Sequence, residues 1–103
     1  MFALVVRFDL RDEHAATQFD AITGELVDQV TAKEPGTLIY VAHTIEGAPL
    51  GRLFYEVYAD PAAFETHNET EHVKAFLAAR AAFIADRRVE RLTPAHAKGL
   101  PDS

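Results

Sequence analysis

The sequence contains no cysteine. That excludes disulfides, thiolate metal sites and a cysteine nucleophile, and it fits a cytoplasmic protein. No apolar run approaches the roughly 18 residues needed to span a bilayer. The opening stretch MFALVVRFDL has no basic leader and no cleavage pattern, so it is expected to be a strand and not a signal peptide. Positive charge is scarce as well. Ten basic residues face sixteen acidic ones, for a net charge of −6. The basic residues form no stripe, which argues against a nucleic-acid partner. With 103 residues the chain is long enough for one domain and too short for two. The reading is a single domain over 1–103, with a core over about 1–93 and an exposed tail over 94–103.

What is present is an ordinary globular mixture, 49% hydrophobic and 25% charged. Phe2 to Asp9 is rich in Val, Leu and Phe and predicts a strand, with Phe2, Leu4, Val6 and Phe8 on one wholly apolar face. Asp12 is placed to cap a helix, and Ala15, Phe19, Ile22, Leu26 and Val30 recur at helical spacing. Gly24 interrupts that stripe, and Pro35-Gly36 ends it. Thr37 to Ile45 predicts a second strand, and Arg52 to Ala59 a third. The turn Glu46–Gly51 between them makes a hairpin. Asp60-Pro61 is a strong helix start, because Pro at the first helical position has no N–H to lose. That helix pauses near Asn68, and Thr70 caps a second segment bearing Val73, Phe76, Leu77, Arg80 and Phe83-Ile84. Asp86-Arg87-Arg88 breaks the pattern, leaving Arg88 to Leu92 as a short fourth strand.

The order βαββαβ with right-handed crossovers implies a ferredoxin-like α+β sandwich, both helices on one face of an antiparallel sheet. Strands one and two are apolar on both faces, whereas a half-solvated sheet should alternate more cleanly. A second copy of the chain covering the other face is expected, giving a homodimer joined through its sheets.

Three stretches carry a family resemblance. They are Glu34-Pro35-Gly36-Thr37-Leu38-Ile39-Tyr40, Phe54-Tyr55-Glu56-Val57-Tyr58-Ala59-Asp60-Pro61-Ala62-Ala63-Phe64, and His67 followed by His72-Val73-Lys74-Ala75-Phe76. In this order they resemble the antibiotic biosynthesis monooxygenase family of dimeric α+β barrels. The resemblance implies a quinol-monooxygenase-like enzyme that oxidises a small quinol or phenolic compound with O2, without metal, haem or bound flavin. The haem-degrading branch uses a strand-one Asn and a Trp on the second helix. This chain has no Trp, and its one Asn is Asn68, so that branch is set aside. A third branch, of the autoinducer-2 degradation type, isomerises a phosphorylated metabolite and needs a phosphate partner, for which Arg7 or Arg52 could serve. A non-catalytic dimer binding a small hydrophobic ligand is the remaining alternative.

Making a phenol give an electron to O2 is easiest after deprotonation, so the chemistry wants a base titrating near neutrality, and histidine suits it. His72 and His67 are the catalytic candidates. Five residues apart, they would lie about 140° apart on an unbroken helix and would not share a face. If Thr70 breaks the helix, the rings can converge. Read as packing, His67 is a half-buried surface residue and His72 a residue at a helix start. Tyr40, Tyr55, Phe64, Phe76 and Arg7 are the substrate-binding candidates, the aromatics as pocket walls. Each tyrosine can equally be core or interface, because aromatic strand residues mainly supply packing. Glu56, between apolar neighbours, reads as a buried carboxylate paired with an arginine such as Arg88, Arg91 or Arg7. His43 reads as a residue of the sheet edge or dimer seam, and His14 and His96 as solvent-exposed.

Overall fold

The computed structural model describes residues 1–101. The elements are β1 (Phe2–Leu10), α1 (Glu13–Lys33), β2 (Thr37–Ile45), β3 (Ala48–Tyr58), α2 (Pro61–Glu69), α3 (Glu71–Arg80) and β4 (Ile84–Leu92). All pairings are antiparallel, in the order β2-β3-β1-β4, which is the ferredoxin-like α+β arrangement. The expected tail has no regular secondary structure over 94–101, and residues 102 and 103 lie outside the described residues. Among the described residues, no helix is long and apolar enough to cross a membrane.

Helix starts are set where the sequence places carboxylates ahead of an apolar stripe. The Asp12 side chain accepts from the Ala15 N–H at 2.7 Å, and Asp60 from the Ala63 N–H at 2.8 Å. Each such cap contributes roughly 1 kcal/mol relative to alanine. Register then decides which side chains meet. Leu4, Val6 and Phe8 on β1 lie between Glu56, Phe54 and Arg52 on β3 and Arg91, Val89 and Arg87 on β4. This face packs against the helices. Phe8, Phe19 and Phe54 form its centre, with ring centroids 5.1–6.0 Å apart. Burying each ring stabilises the fold by roughly 1.5–3 kcal/mol.

The other face carries rows of mixed character. Ile39, Val57, Ala3 and Leu92 form one row across the sheet, and Val41, Tyr55, Val5 and Glu90 the next. Among the described residues no helix packs there, and Val41 is 42% exposed.

Two boundaries differ from expectation. β3 starts at Ala48, not Arg52, because the link narrows to Glu46-Gly47, with Gly47 at φ +76. The last helix stops at Arg80, and β4 begins at Ile84, not Arg88. There the Phe83 N–H reaches the Arg80 carbonyl at 2.9 Å, and the Arg11 N–H reaches the Phe83 carbonyl at 3.0 Å. This turn delivers Ile84 to pair with Leu10. The charged run Asp86-Arg87-Arg88 is tolerated because β4 is an edge strand, where charge also discourages stray pairing.

Candidate active site

The polar centre is a buried carboxylate. Glu34 follows the last turn of α1, its N–H closing on the Val30 carbonyl. The chain then turns through Pro35-Gly36, and the Thr37 N–H returns to the Glu34 carbonyl at 3.1 Å. Gly36 is needed for this approach, since a Cβ there would sit 2.8 Å from the Ala63 Cβ on α2. The Ala59 N–H also donates to the Gly36 carbonyl, at 2.9 Å. The turn is thereby pinned against α2, and Glu34 faces the histidines.

Thr70 separates α2 from α3 with extended backbone, φ −69 and ψ 149. Its hydroxyl donates to the His67 carbonyl at 2.8 Å and accepts from the Val73 N–H at 3.3 Å. The break turns both imidazoles onto Glu34. His67 Nδ1–H donates to Glu34 Oε1 at 2.6 Å, and His72 Nε2–H donates to Oε2. Thr37 Oγ1 adds a third donor to Oε1, at 2.7 Å. Burial works to raise the Glu34 pKa, but these three hydrogen bonds outweigh it and hold the carboxyl below its ordinary value. An ionised carboxylate can only accept, so His67 carries its proton on Nδ1 and presents a bare Nε2 lone pair. Burial also lowers the His67 pKa against the pull of Glu34, which keeps the ring neutral. Among the described residues, no cluster of three His, Asp or Glu is arranged to hold a metal ion.

His67 is 3% exposed and sits among aromatic rings. Tyr40 and Tyr58 have centroids 5.3 Å from it, and Phe64 stacks nearly parallel at 6.4 Å. It lines a cavity of about 320 Å³ between the helices and the sheet, with Tyr40, Glu56, Phe64, Phe76 and Arg80 also in the wall. That volume is at the small end of ligand sites, roughly 300–1,000 Å³.

Glu56 projects into the same cavity from β3, between Leu4 and Tyr40. It is buried as expected, but its partner is the Tyr58 hydroxyl, which donates at 2.5 Å, and not an arginine. Arg88 pairs with Glu90 on the opposite face. Burial pushes the Glu56 pKa up to about 7, and the Tyr58 bond and the Arg80 charge only partly offset this. The Tyr40 and Tyr58 hydroxyls are both pushed up by burial and by the Glu56 charge, so they act as donors.

Of the residues singled out from sequence, the cavity gathers His67, Tyr40, Phe64 and Phe76. His72 joins Glu34 from the side of a separate groove between α1 and α3, which it lines with Ile22, Leu26 and Phe76. Tyr55 and Arg7 lie on the far face of the sheet. Tyr55 is flanked by Val5 and Val41, and Arg7 pairs with Asp9 at 3.0 Å. His43 is exposed on β2 beside the Leu53 carbonyl, and His14 and His96 are exposed. Sequence reasoning did not single out Glu34 as a site residue. The one signal for it was its place at the head of the Glu34-Pro35-Gly36 stretch. In sequence, Arg80 stands out only as part of a helix stripe.

A family model described as antibiotic biosynthesis monooxygenase matches residues 1–79. Several solved structures share the fold. A candidate antibiotic biosynthesis monooxygenase from Bacteroides thetaiotaomicron is 24% identical with a TM-score of 0.87, over 99% of this chain and 95% of that one. One from Caulobacter crescentus is 25% identical with a TM-score of 0.86, over 92% and 90% of the two chains. One from Nitrosomonas europaea is 20% identical with a TM-score of 0.84, over 93% and 100%. No curated protein matches the chain.

Proposed function

The chain belongs to the antibiotic biosynthesis monooxygenase family, and from that premise we propose that it oxidises a small quinol or related phenol with O2, using His67 as general base. The observation that carries this is the Glu34–His67 hydrogen bond beside an aromatic cavity. It fixes one tautomer and leaves Nε2 as the acceptor. Glu34 would also stabilise the imidazolium that forms when Nε2 takes a proton.

In this reading the substrate O–H gives its proton to His67. The resulting anion gives one electron to O2, and the radical pair joins to form a C–O bond. The O–O bond of that peroxide then breaks. One oxygen stays on the ring carbon and the other leaves as water, so a hydroquinone becomes a hydroxyquinone. The substrate supplies all four electrons, and no external reductant is required. Tyr40 can donate a hydrogen bond to a substrate oxygen. Glu56, with its pKa at about 7, can give a proton to the departing oxygen. His72 acts as a positioning residue, because it holds the second oxygen of Glu34 and does not line the cavity.

Oxygen uptake with a panel of hydroquinones tests the proposal. His67→Ala is expected to lower kcat by about 10²–10⁴, the usual contribution of a general base. No uptake on any member, or unchanged kcat in the variant, would sink it.

A second reading has one observation in its favour. Arg80 and Arg87 line the cavity, and an isomerase acting on a phosphorylated metabolite would need such cations. Isomerisation of a sugar phosphate without oxygen consumption would select it.

A further inference from the structure

Seven arginines divide into two groups. Four donate to a protein oxygen: Arg7 to Asp9, Arg11 to the Ile84 carbonyl, Arg52 to Asp20 and Arg88 to Glu90. Arg80, Arg87 and Arg91 make no side-chain hydrogen bond or ion pair among the described residues. All three are on the helix side of the sheet. Arg87 and Arg91 project from β4 opposite Phe8 and Leu4, and Arg80 closes α3. Arg80 lies over the rings of Phe8 and Phe76, at 5.3 and 5.9 Å, and Arg91 over Phe2 at 5.0 Å.

Arg80 and Arg87 both line the cavity that holds His67. Burial disfavours the Arg80 cation, and the like charge of Arg87 adds to this. A desolvated guanidinium normally sits against a carboxylate. This chain has sixteen acidic residues for ten basic ones, so partners were not scarce. The cavity's own carboxyl, Glu56, bonds to Tyr58. A half-buried Arg80 without a carboxylate partner, with the exposed Arg87 beside it at the cavity rim, points to an anion brought by the ligand.

We propose that the substrate is an aromatic acid whose carboxylate is held between Arg80 and Arg87 while its ring lies against Phe64 and Phe76. The planar guanidinium fork matches a carboxylate, and stacking on Phe8 and Phe76 fixes its plane. A phosphate would satisfy the same fork. Beside Tyr40, Glu56, His67 and Asn68, the wall is built of apolar side chains such as Leu4, Val6, Phe54 and Leu77, and it suits an aromatic body better than a hydroxylated sugar. This inference rests on reading the cavity as the active site.

Titration calorimetry under nitrogen tests it without turnover. The probes are para-hydroxybenzoate with para-hydroxybenzamide, and a hydroxynaphthoate with its amide. Each acid is expected to bind about ten-fold tighter than its amide or better, the scale of one charge-assisted hydrogen bond. The doubly substituted Arg80→Gln, Arg87→Gln protein should lose that preference while keeping its affinity for the amides, which shows that the cavity is still folded. Equal binding of acid and amide, binding of neither, or a preference that survives the double substitution overturns the proposal. So does tighter binding of glycerol phosphate than of either acid, an outcome that favours a phosphorylated substrate. Because the assay needs no oxygen, it is separate from the role of His67. Absent oxygen uptake with the acid preference intact would defeat the oxygenase reading alone.

Discussion

Glu56 and His67 share a cavity and respond to pH in opposite ways. In the unfolded chain a glutamate loses its proton near its ordinary value of 4.5, but in the fold Glu56 keeps it to about 7. Between those values the native state binds more protons, so this group's contribution to stability falls as pH rises. Above pH 7 the deficit is constant, at about 3 kcal/mol. Glu56→Gln keeps an acceptor for Tyr58 and removes the buried charge. Urea unfolding should show it near wild type at pH 4 and more stable by about 3 kcal/mol at pH 8. Equal stability at pH 8 would mean that Glu56 is not desolvated as its surroundings imply. His67 runs the other way. Burial holds its pKa below the ordinary 6.5, so the unfolded chain takes up a proton first as pH falls below that value, and stability drops. With His67 as the proposed base, the same displacement would set the rate profile. kcat/KM on an accepted phenol should have an acid limb whose midpoint lies below 6.5, and a midpoint above it would argue against His67 as the base.

Among the elements, the α1–β2 turn and the break at Thr70 matter most, because together they bring His67 and His72 to the Glu34 carboxylate. Gly36→Ala tests the first. Its new methyl would need the space of the Ala63 Cβ, which α2 holds rigidly. The turn must lift away, and Glu34 with it. The expected result is a folded protein, less stable by about 1–3 kcal/mol, with its oxidation rate falling toward that of His67→Ala. Wild-type activity would mean that Glu34 does not set the tautomer. The Thr70 break was legible because a hydroxyl ahead of an acidic first turn is a cap, and that cap separates the two histidines. Asp12, Asp60 and the strand cores were legible for the same local reasons. Glu34 was not. A charged residue just after a helix reads as solvated, and its partners stand 33 and 38 residues further along the chain. The start of β4 was missed because pairing with β1 overrides the local charge of Asp86-Arg87-Arg88. Arg80 looked like one more residue of a stripe, since its lack of an ion pair exists only in three dimensions.

For the whole molecule, the sheet face away from the helices bears on assembly, although Ala3 and Val57 are already buried on it. Val5, Ile39, Leu53 and Tyr55 are only half-buried, and Val41 and Leu92 are exposed, on a face no helix covers. Apolar rows of that kind are the ordinary material of a homodimer interface. Sedimentation at micromolar concentration is expected to give twice the mass of the chain, 11.4 kDa each. Val41→Lys with Tyr55→Lys should reduce it to a monomer. A wild-type monomer would leave the face without a partner of its own kind.

The aromatic box around His67 also makes this protein its own optical gauge. With no tryptophan, its ultraviolet emission comes from three tyrosines. Two of them, Tyr40 and Tyr58, press on the His67 ring, and the Tyr58 hydroxyl donates a hydrogen bond to the Glu56 carboxyl. The third, Tyr55, faces the other side of the sheet. Replacing Tyr55 with phenylalanine would leave a protein whose intrinsic light comes only from Tyr40 in the cavity wall and Tyr58 against the His67 ring, so filling of that cavity could be followed without a label.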